Sequence, residues 1–309
     1  MKSILMMLVF FVGQTFITEG QEQMVRGNPE CITTLAIGAH PIDMEITAGA
    51  VLAKHAKRLL FGCGNRAATT AVVEERERVY VKDAQGAIIR INPDEKVIYL
   101  IFTSDQTFEG APHVLEVLEN HGIKGSFFPT GRSLRIEEFK PIYRQIIEQG
   151  HFIGGHGNYH LLYAPWPPED RNHSLVSRDS LIADLHQNML ELEKFGVDIS
   201  QVRYFNPPYQ WYNAEQVRWI AEYGQMVLNF TPGVRTNADW TTPDMSNYMS
   251  SQRIIDSLFE FQATHEKGLR GAIILIHPGT DPARTDKLYY RLDEIITRLK
   301  ELGYSFDRL

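Results

Sequence analysis

Cysteine is nearly missing from this chain, with only Cys31 and Cys63 among 309 residues. Two thiols cannot make a zinc ribbon or a multi-disulfide framework. They can form one bridge in an oxidising compartment or stay as two free thiols, and spacing alone does not choose between these. Net positive charge is missing as well. The formal charge is -7 at pH 7, which argues against the net basic surface that polyanion binding normally needs, so no nucleic-acid partner is expected. Beyond the first dozen residues there is no apolar run of the roughly 20 residues that a membrane-spanning helix needs. Internal repeats and low-complexity tracts are absent too.

The one long apolar run is N-terminal. Lys2 is followed by Ile4 to Val12, and Thr18-Glu19-Gly20 sets small residues at cleavage positions. This is the pattern of a signal peptide over residues 1–20, and it predicts an exported protein, periplasmic or secreted, with no transmembrane segment after cleavage. A hydrophobic content of 43% with 22% charged residues suits a globular remainder. A boundary falls near Pro93. Residues 21–95 read as a short N-terminal appendage, a strand-loop-helix stub, and residues 96–309 as the main domain.

In that domain short apolar runs alternate with amphipathic windows. Strands are predicted at Val97 to Thr103, Gly125 to Pro129, Phe152 to His156, Tyr204 to Pro207, Met226 to Asn229, Ala272 to His277 and Tyr304 to Phe306. Helices are predicted at Ala111 to Asn120, Ile136 to Gln149, Ser180 to Phe195, Ala214 to Tyr223, Ile254 to Glu266 and Leu288 to Leu302. Glycines follow each window, as helix ends favour. Repeated βα units predict a parallel barrel or a doubly wound sheet, either of which places its site at the C-terminal strand ends.

Chemistry-bearing residues gather at those ends. The run Gly154-Gly155-His156-Gly157-Asn158-Tyr159-His160 carries two imidazoles four residues apart, a spacing that lets both converge from one helical turn. The first strand ends in Ser104-Asp105, the fourth in Asn206-Pro207-Pro208-Tyr209 and the sixth in His277. One carboxylate with two imidazoles is a known three-ligand set for a divalent metal. His277 is then placed to give a proton to a leaving group. Asp239-Trp240 sets a carboxylate where it can partner His277. Trp166, Trp211, Trp240, Tyr163 and Tyr212 are open to two roles, stacking on sugar rings or core packing.

These residues resemble the polysaccharide deacetylases, the NodB homology domain or carbohydrate esterase family 4. The resemblance runs from about Lys96 to Phe306 through five motifs in order: Ile98 to Gly131, Gly150 to His156 with His160, Phe205 to Tyr209, Asp239-Trp240 and Ile274 to His277. It implies a distorted parallel (β/α) barrel and a divalent metal, usually zinc, held by Asp105, His156 and His160. It also implies His277 as general acid, Tyr209 offering its backbone N–H to an oxyanion, and Asn206, Pro208 and Trp240 touching substrate. The implied activity is removal of acetyl groups, mainly N-acetyl, from a polysaccharide or glycan. Two departures stand out. Ser104 occupies the position of the family's usual Asp base, and Asn206 that of the Arg which orients it. Three outcomes follow: another carboxylate among Glu109, Asp239 and Asp281 serves as base, the metal-bound water reacts unaided, or the domain binds acetylated glycan without cleaving it.

Leu35 to Lys54, with His40 and Asp43, is similar to the opening strand, metal loop and helix of the LmbE-like (PIG-L) deacetylases. The likeness covers about 25 residues. Ile42 stands where that family carries its base, so a truncated remnant or a chance similarity, packed as a stub, is expected rather than a second site.

Overall fold

The computed structural model describes residues 7–12, 32–37 and 78–309. The chain divides into two compact units, Met1–Glu75 and Arg76–Leu309. In the first, β1 (Met7–Val12) pairs antiparallel with β2 (Ile32–Ile37), Met7 opposite Ile37. Cys31, Cys63, His40, Asp43 and the cleavage-site residues 18–20 lie outside the described residues.

The second unit is built around β5 (Val97–Ser104), whose eight residues are all buried. A strand covered on both faces needs apolar side chains on both, and Val-Ile-Tyr-Leu-Ile-Phe meets that demand. Parallel neighbours flank it, β10 (Ala272–Ile276) on one edge and β6 (Ser126–Pro129) on the other, with β7 (Phe152–Ile153) beyond β6. The final strand β11 (Ser305–Asp307) pairs with the start of β5. A parallel pair, β8 (Tyr204–Phe205) and β9 (Met226–Val227), is joined to its surroundings by single bridges, Gly155 to Phe205 and Leu228 to Ile88. These bridges close the curled sheet into a distorted barrel.

Closure depends on an element that the sequence reading assigned to the appendage. A hairpin of β3 (Tyr80–Lys82) and β4 (Ile88–Ile91) turns at Asp83–Gly86, and β4 joins the free edge of β10 antiparallel. The main unit therefore starts at Arg76, not near residue 95. Pro93 marks the tight turn between β4 and β5, not a linker between domains, because a hairpin strand needs neighbours to bury its apolar face.

Strand periodicity separates two apolar layers. Tyr99, Ile101, Ile273 and Leu275 meet Ile88, Phe128, Tyr204 and Leu228 in a cluster inside the barrel. The alternate residues Ile98, Leu100, Phe102, Ile274 and Ile276 belong to the larger cluster beneath the helices. The helices are α1 (Ala111–Asn120), α2 (Gly131–Leu134), α3 (Lys140–Glu148), α4 (Arg178–Glu193), α5 (Ala214–Tyr223), α6 (Ser251–Thr264) and α7 (Leu292–Glu301). In α7 the buried positions Leu292, Ile295, Ile296 and Leu299 follow helical spacing and form one stripe toward the core. The window predicted from Ile136 splits into a 3-10 turn, Glu137–Phe139, and α3. Pro141 is the reason: it lacks an N–H and is accommodated only in a helix's first turn. Among the described residues, no helix is long and apolar enough to cross a membrane.

Candidate active site

A cavity of about 440 Å³ opens at the C-terminal ends of the strands, lined by Ser104, Asp105, His156, His160, Tyr209, Trp240 and His277, among others. The structure thus brings together the three predicted metal ligands, the predicted acid, the predicted oxyanion residue Tyr209 and one of the three predicted substrate contacts, Trp240.

The two histidines reach the cavity from a loop, not from a helical turn. Gly157 and His160 both have positive φ, 76° and 56°, which no helix allows. Asp184 of α4 steadies this loop by accepting from the backbone N–H groups of Asn158 and Tyr159 at 2.8 and 3.0 Å. A side chain at Gly157 would sit 2.8 Å from an Asp184 oxygen, so only glycine serves there. His156 is buried, and its Nδ1–H donates to the Asn206 carbonyl at 2.7 Å. That bond sets the tautomer and leaves the Nε2 lone pair as the ring's free donor atom. The rings of His156 and His160 lie 5.0 Å apart, and the His160 ring lies 4.2 Å from that of Tyr209. Burial, more than any neighbouring charge, pushes both imidazoles down, His156 well below its ordinary value and His160 to about 4. Neutral imidazole is the form that ligates a metal.

Asp105 follows β5 and Thr130 follows β6. Their parallel pairing, Ser104 opposite Pro129, sets the two strand ends side by side. Thr130 caps α2 through the backbone N–H of Ser133, and its hydroxyl donates to Asp105 at 2.9 Å. Arg132, one residue into α2, grips both carboxylate oxygens of Asp105 through Nε and Nη2. Such a fork on a carboxylate is the strongest common form of charged hydrogen bond. The donor chemistry of Asp105, His156 and His160 suits a divalent cation, but their arrangement does not. Among the described residues, no three His, Cys, Asp or Glu side chains form a group ready to hold a metal, and Asp105 is committed to an arginine.

On the opposite wall, Asp239 is buried in a 3-10 turn, Thr236–Trp240, with both carboxylate oxygens directed at His277. One accepts from Nδ1–H at 2.6 Å and the other from the backbone N–H at 2.8 Å. Asp239 is therefore the partner of His277: it is buried behind that ring and does not line the cavity where a base would meet water. Its hold leaves the Nε2 of His277 as the atom able to exchange a proton with a bound molecule.

Ser104 borders the cavity within a buried hydroxyl chain: its Oγ is 3.0 Å from the Tyr143 phenol, which is 2.5 Å from Ser133 Oγ. Burial holds that phenol protonated, far above its ordinary range. Of the alternative carboxylates, Glu109 is turned away to Thr280, Lys287 and Tyr289, while Asp281 stands at the mouth and accepts from the Ala283 backbone. Neither Asn206 nor Pro208 lines the cavity. Asn206 is fully buried, and its side chain bonds the Leu228 carbonyl and Gln210, so it positions His156 from behind. Pro208 is buried beneath Gly157.

The aromatic residues divide by burial. Tyr163 and Tyr212 are core residues, whereas Trp166, Tyr209 and Trp240 are 56, 43 and 47% exposed and line the cavity. Trp211 braces the loop that carries Trp166: its indole N–H donates to the Pro165 carbonyl at 2.7 Å, and Arg171 stacks on its ring. Sequence reasoning missed Arg132, Thr130, Tyr143 and Asp184. The only signal for the first two was the helix-start pattern Thr130-Gly131-Arg132-Ser133, which says nothing of a carboxylate 27 residues earlier.

Residues 90–228 match the family model described as polysaccharide deacetylase. The matched segment lies within the barrel and includes Asp105, His156, His160 and Asn206. Among similar proteins, YheN of Bacillus subtilis is 27% identical over 221 residues, 70% of this chain and 67% of that protein. The peptidoglycan-N-acetylmuramic acid deacetylase PdaA of the same species is 24% identical over 222 residues, 70% of each chain. The structure of Bacillus subtilis PdaA, a family 4 carbohydrate esterase, is similar at 24% identity and a TM-score of 0.55, the match covering 72% of this chain and 83% of that one. A CE4 family pseudoenzyme from Bacillus anthracis has 24% identity and a TM-score of 0.56, covering 74% of this chain and 68% of its own. The structural likenesses establish the shared fold.

Proposed function

We propose that this chain acts on an N-acetylated polysaccharide or peptidoglycan glycan, hydrolysing the acetamide in the cavity between the histidine loop and His277. The observation that supports this reading is the Asp239-oriented imidazole facing two neutral imidazoles within a deacetylase barrel. A glycan chain would lie across the rim, where Trp166, Tyr209 and Trp240 expose ring faces to sugar C–H groups. His277, fixed by Asp239, would protonate the departing amine. The leaving amine needs that proton because an amide anion is too basic to depart at neutral pH. Export and metal dependence are parts of the same proposal. They rest on the N-terminal apolar pattern and on the chemistry of the donor residues.

Acetate release from N-acetylated chito-oligosaccharides and from peptidoglycan fragments tests the reading, with His277→Ala beside the parent. Loss of about 10²-fold or more on substitution is expected, a typical share for a positioned acid. Release unaffected by the substitution overturns the assignment. A second reading, in which the site binds acetylated glycan without cleaving it, is favoured by Ser104, whose hydroxyl cannot take water's proton at neutral pH. That reading expects saturable glycan binding and no acetate release from the parent, together with release restored in Ser104→Asp.

A further inference from the structure

We infer that Arg132 and a divalent cation are alternative occupants of the Asp105 carboxylate, so that metal enters this site only by displacing the guanidinium. The inference rests on the reading of Asp105, His156 and His160 as cation donors and adds a control element to it.

Three features point to competition instead of coexistence. Arg132 uses Nε and Nη2 on both carboxylate oxygens, and Thr130 adds a third donor to one of them. A carboxylate so engaged has little lone-pair capacity left toward the imidazoles. A guanidinium also brings a full positive charge to the place where a dication would sit, and like charges a few ångströms apart repel strongly when partly buried. The side chains of Arg132 and Asp105 are 34 and 24% exposed, a setting in which the pair is only partly screened. Finally, the arginine's backbone is locked to the histidine loop. Gly131 and Arg132 donate their N–H groups to the carbonyls of Gly157 and Asn158, each at 3.0 Å. The guanidinium is thus held in register with both imidazoles, while its own flexible stem and exposed edge let it swing outward without disturbing α2.

The cation's position is accordingly filled from within the chain. With the guanidinium at Asp105 the cavity keeps its local charge balance and its shape in the absence of metal. With a cation bound, Arg132 is released toward the mouth. Competition of this kind lowers apparent metal affinity by the free energy of the pair it must break.

The test is a titration of the full-length chain with Co²⁺, read by calorimetry and by the d–d absorption of the bound ion. The parent is compared with Arg132→Met, which keeps the stem and removes the charge, Arg132→Gln as a second neutral variant, and His160→Ala. Co²⁺ affinity is expected to rise roughly tenfold or more in both neutral variants, the scale of a charge-assisted pair removed. His160→Ala is expected to abolish binding. Equal or weaker binding by Arg132→Met and Arg132→Gln, with parent binding still lost in His160→Ala, overturns the competition and leaves the donor set standing. No Co²⁺ bound by the parent or by either neutral variant overturns both.

Discussion

At the residue scale, the site is governed by how each polar group is satisfied. Asp239 is the clearest case. A carboxylate with 1% exposure persists because both its oxygens accept from one histidine, and Asn in its place would lose one of those acceptors. Asp239→Asn is therefore expected to release the His277 ring from its single tautomer. Long-range ¹H–¹⁵N spectra of the imidazoles would show one Nδ1–H form in the parent and a mixture in the variant, and unchanged ¹⁵N shifts would refute the assignment. The same logic explains why Asn206, predicted to meet substrate, is buried and does not line the cavity. With its carbonyl committed to His156 and its amide to Leu228, it orients a cavity residue from the core side.

At the element scale, short caps and turns aim the site. Helix α5 starts with a capping box in which Asn213 accepts from Gln216 N at 3.0 Å and Gln216 accepts from Asn213 N at 2.8 Å. Gln216 also donates to the Tyr163 carbonyl at 2.7 Å, tying the helix start to the segment that leads into the Trp166 loop. Asn213→Ala should cost about 1 kcal/mol of stability, the usual worth of an N-cap, seen as a lower urea midpoint with an unchanged denaturant slope. No shift in the midpoint would mean that the helix start is held by its tertiary contacts alone. The histidine loop shows the same economy. Its two imidazoles meet because a glycine, a positive-φ histidine and two backbone bonds to Asp184 bend the chain, not because a helix spaces them.

At the scale of the whole molecule, burial of neutral imidazoles couples folding to pH. His151, outside the cavity, accepts from the Gly125 backbone N–H through Nδ1 at 3.0 Å, and burial pushes it down from 6.5 to about 4. Below pH 6.5 the unfolded chain takes up a proton at this position that the folded chain refuses until about pH 4. Its contribution to stability is thus complete above the upper value and lost as pH falls through that window. Urea midpoints measured from pH 7 to pH 4 should fall in the parent and fall less steeply in His151→Gln. Identical slopes would show that His151 does not carry the dependence.

Much of this architecture was legible in the residue order. The periodicities that place β5, β10, α1 and α5 are local, since a buried strand must be apolar on both faces and a helix on one, and Ala111–Asn120 and Ala214–Tyr223 have the predicted bounds. Motif order likewise placed Asp105, His156, His160 and His277 at strand ends, which the barrel gathers at one cavity. What tertiary structure alone decided was pairing. The β3–β4 hairpin carried no local mark of which sheet edge it would complete, and Arg132 none of the carboxylate it would take. Hydrogen-bond partners across a sheet or between loops depend on which strand ends lie side by side, a property of topology that no window of neighbouring residues contains.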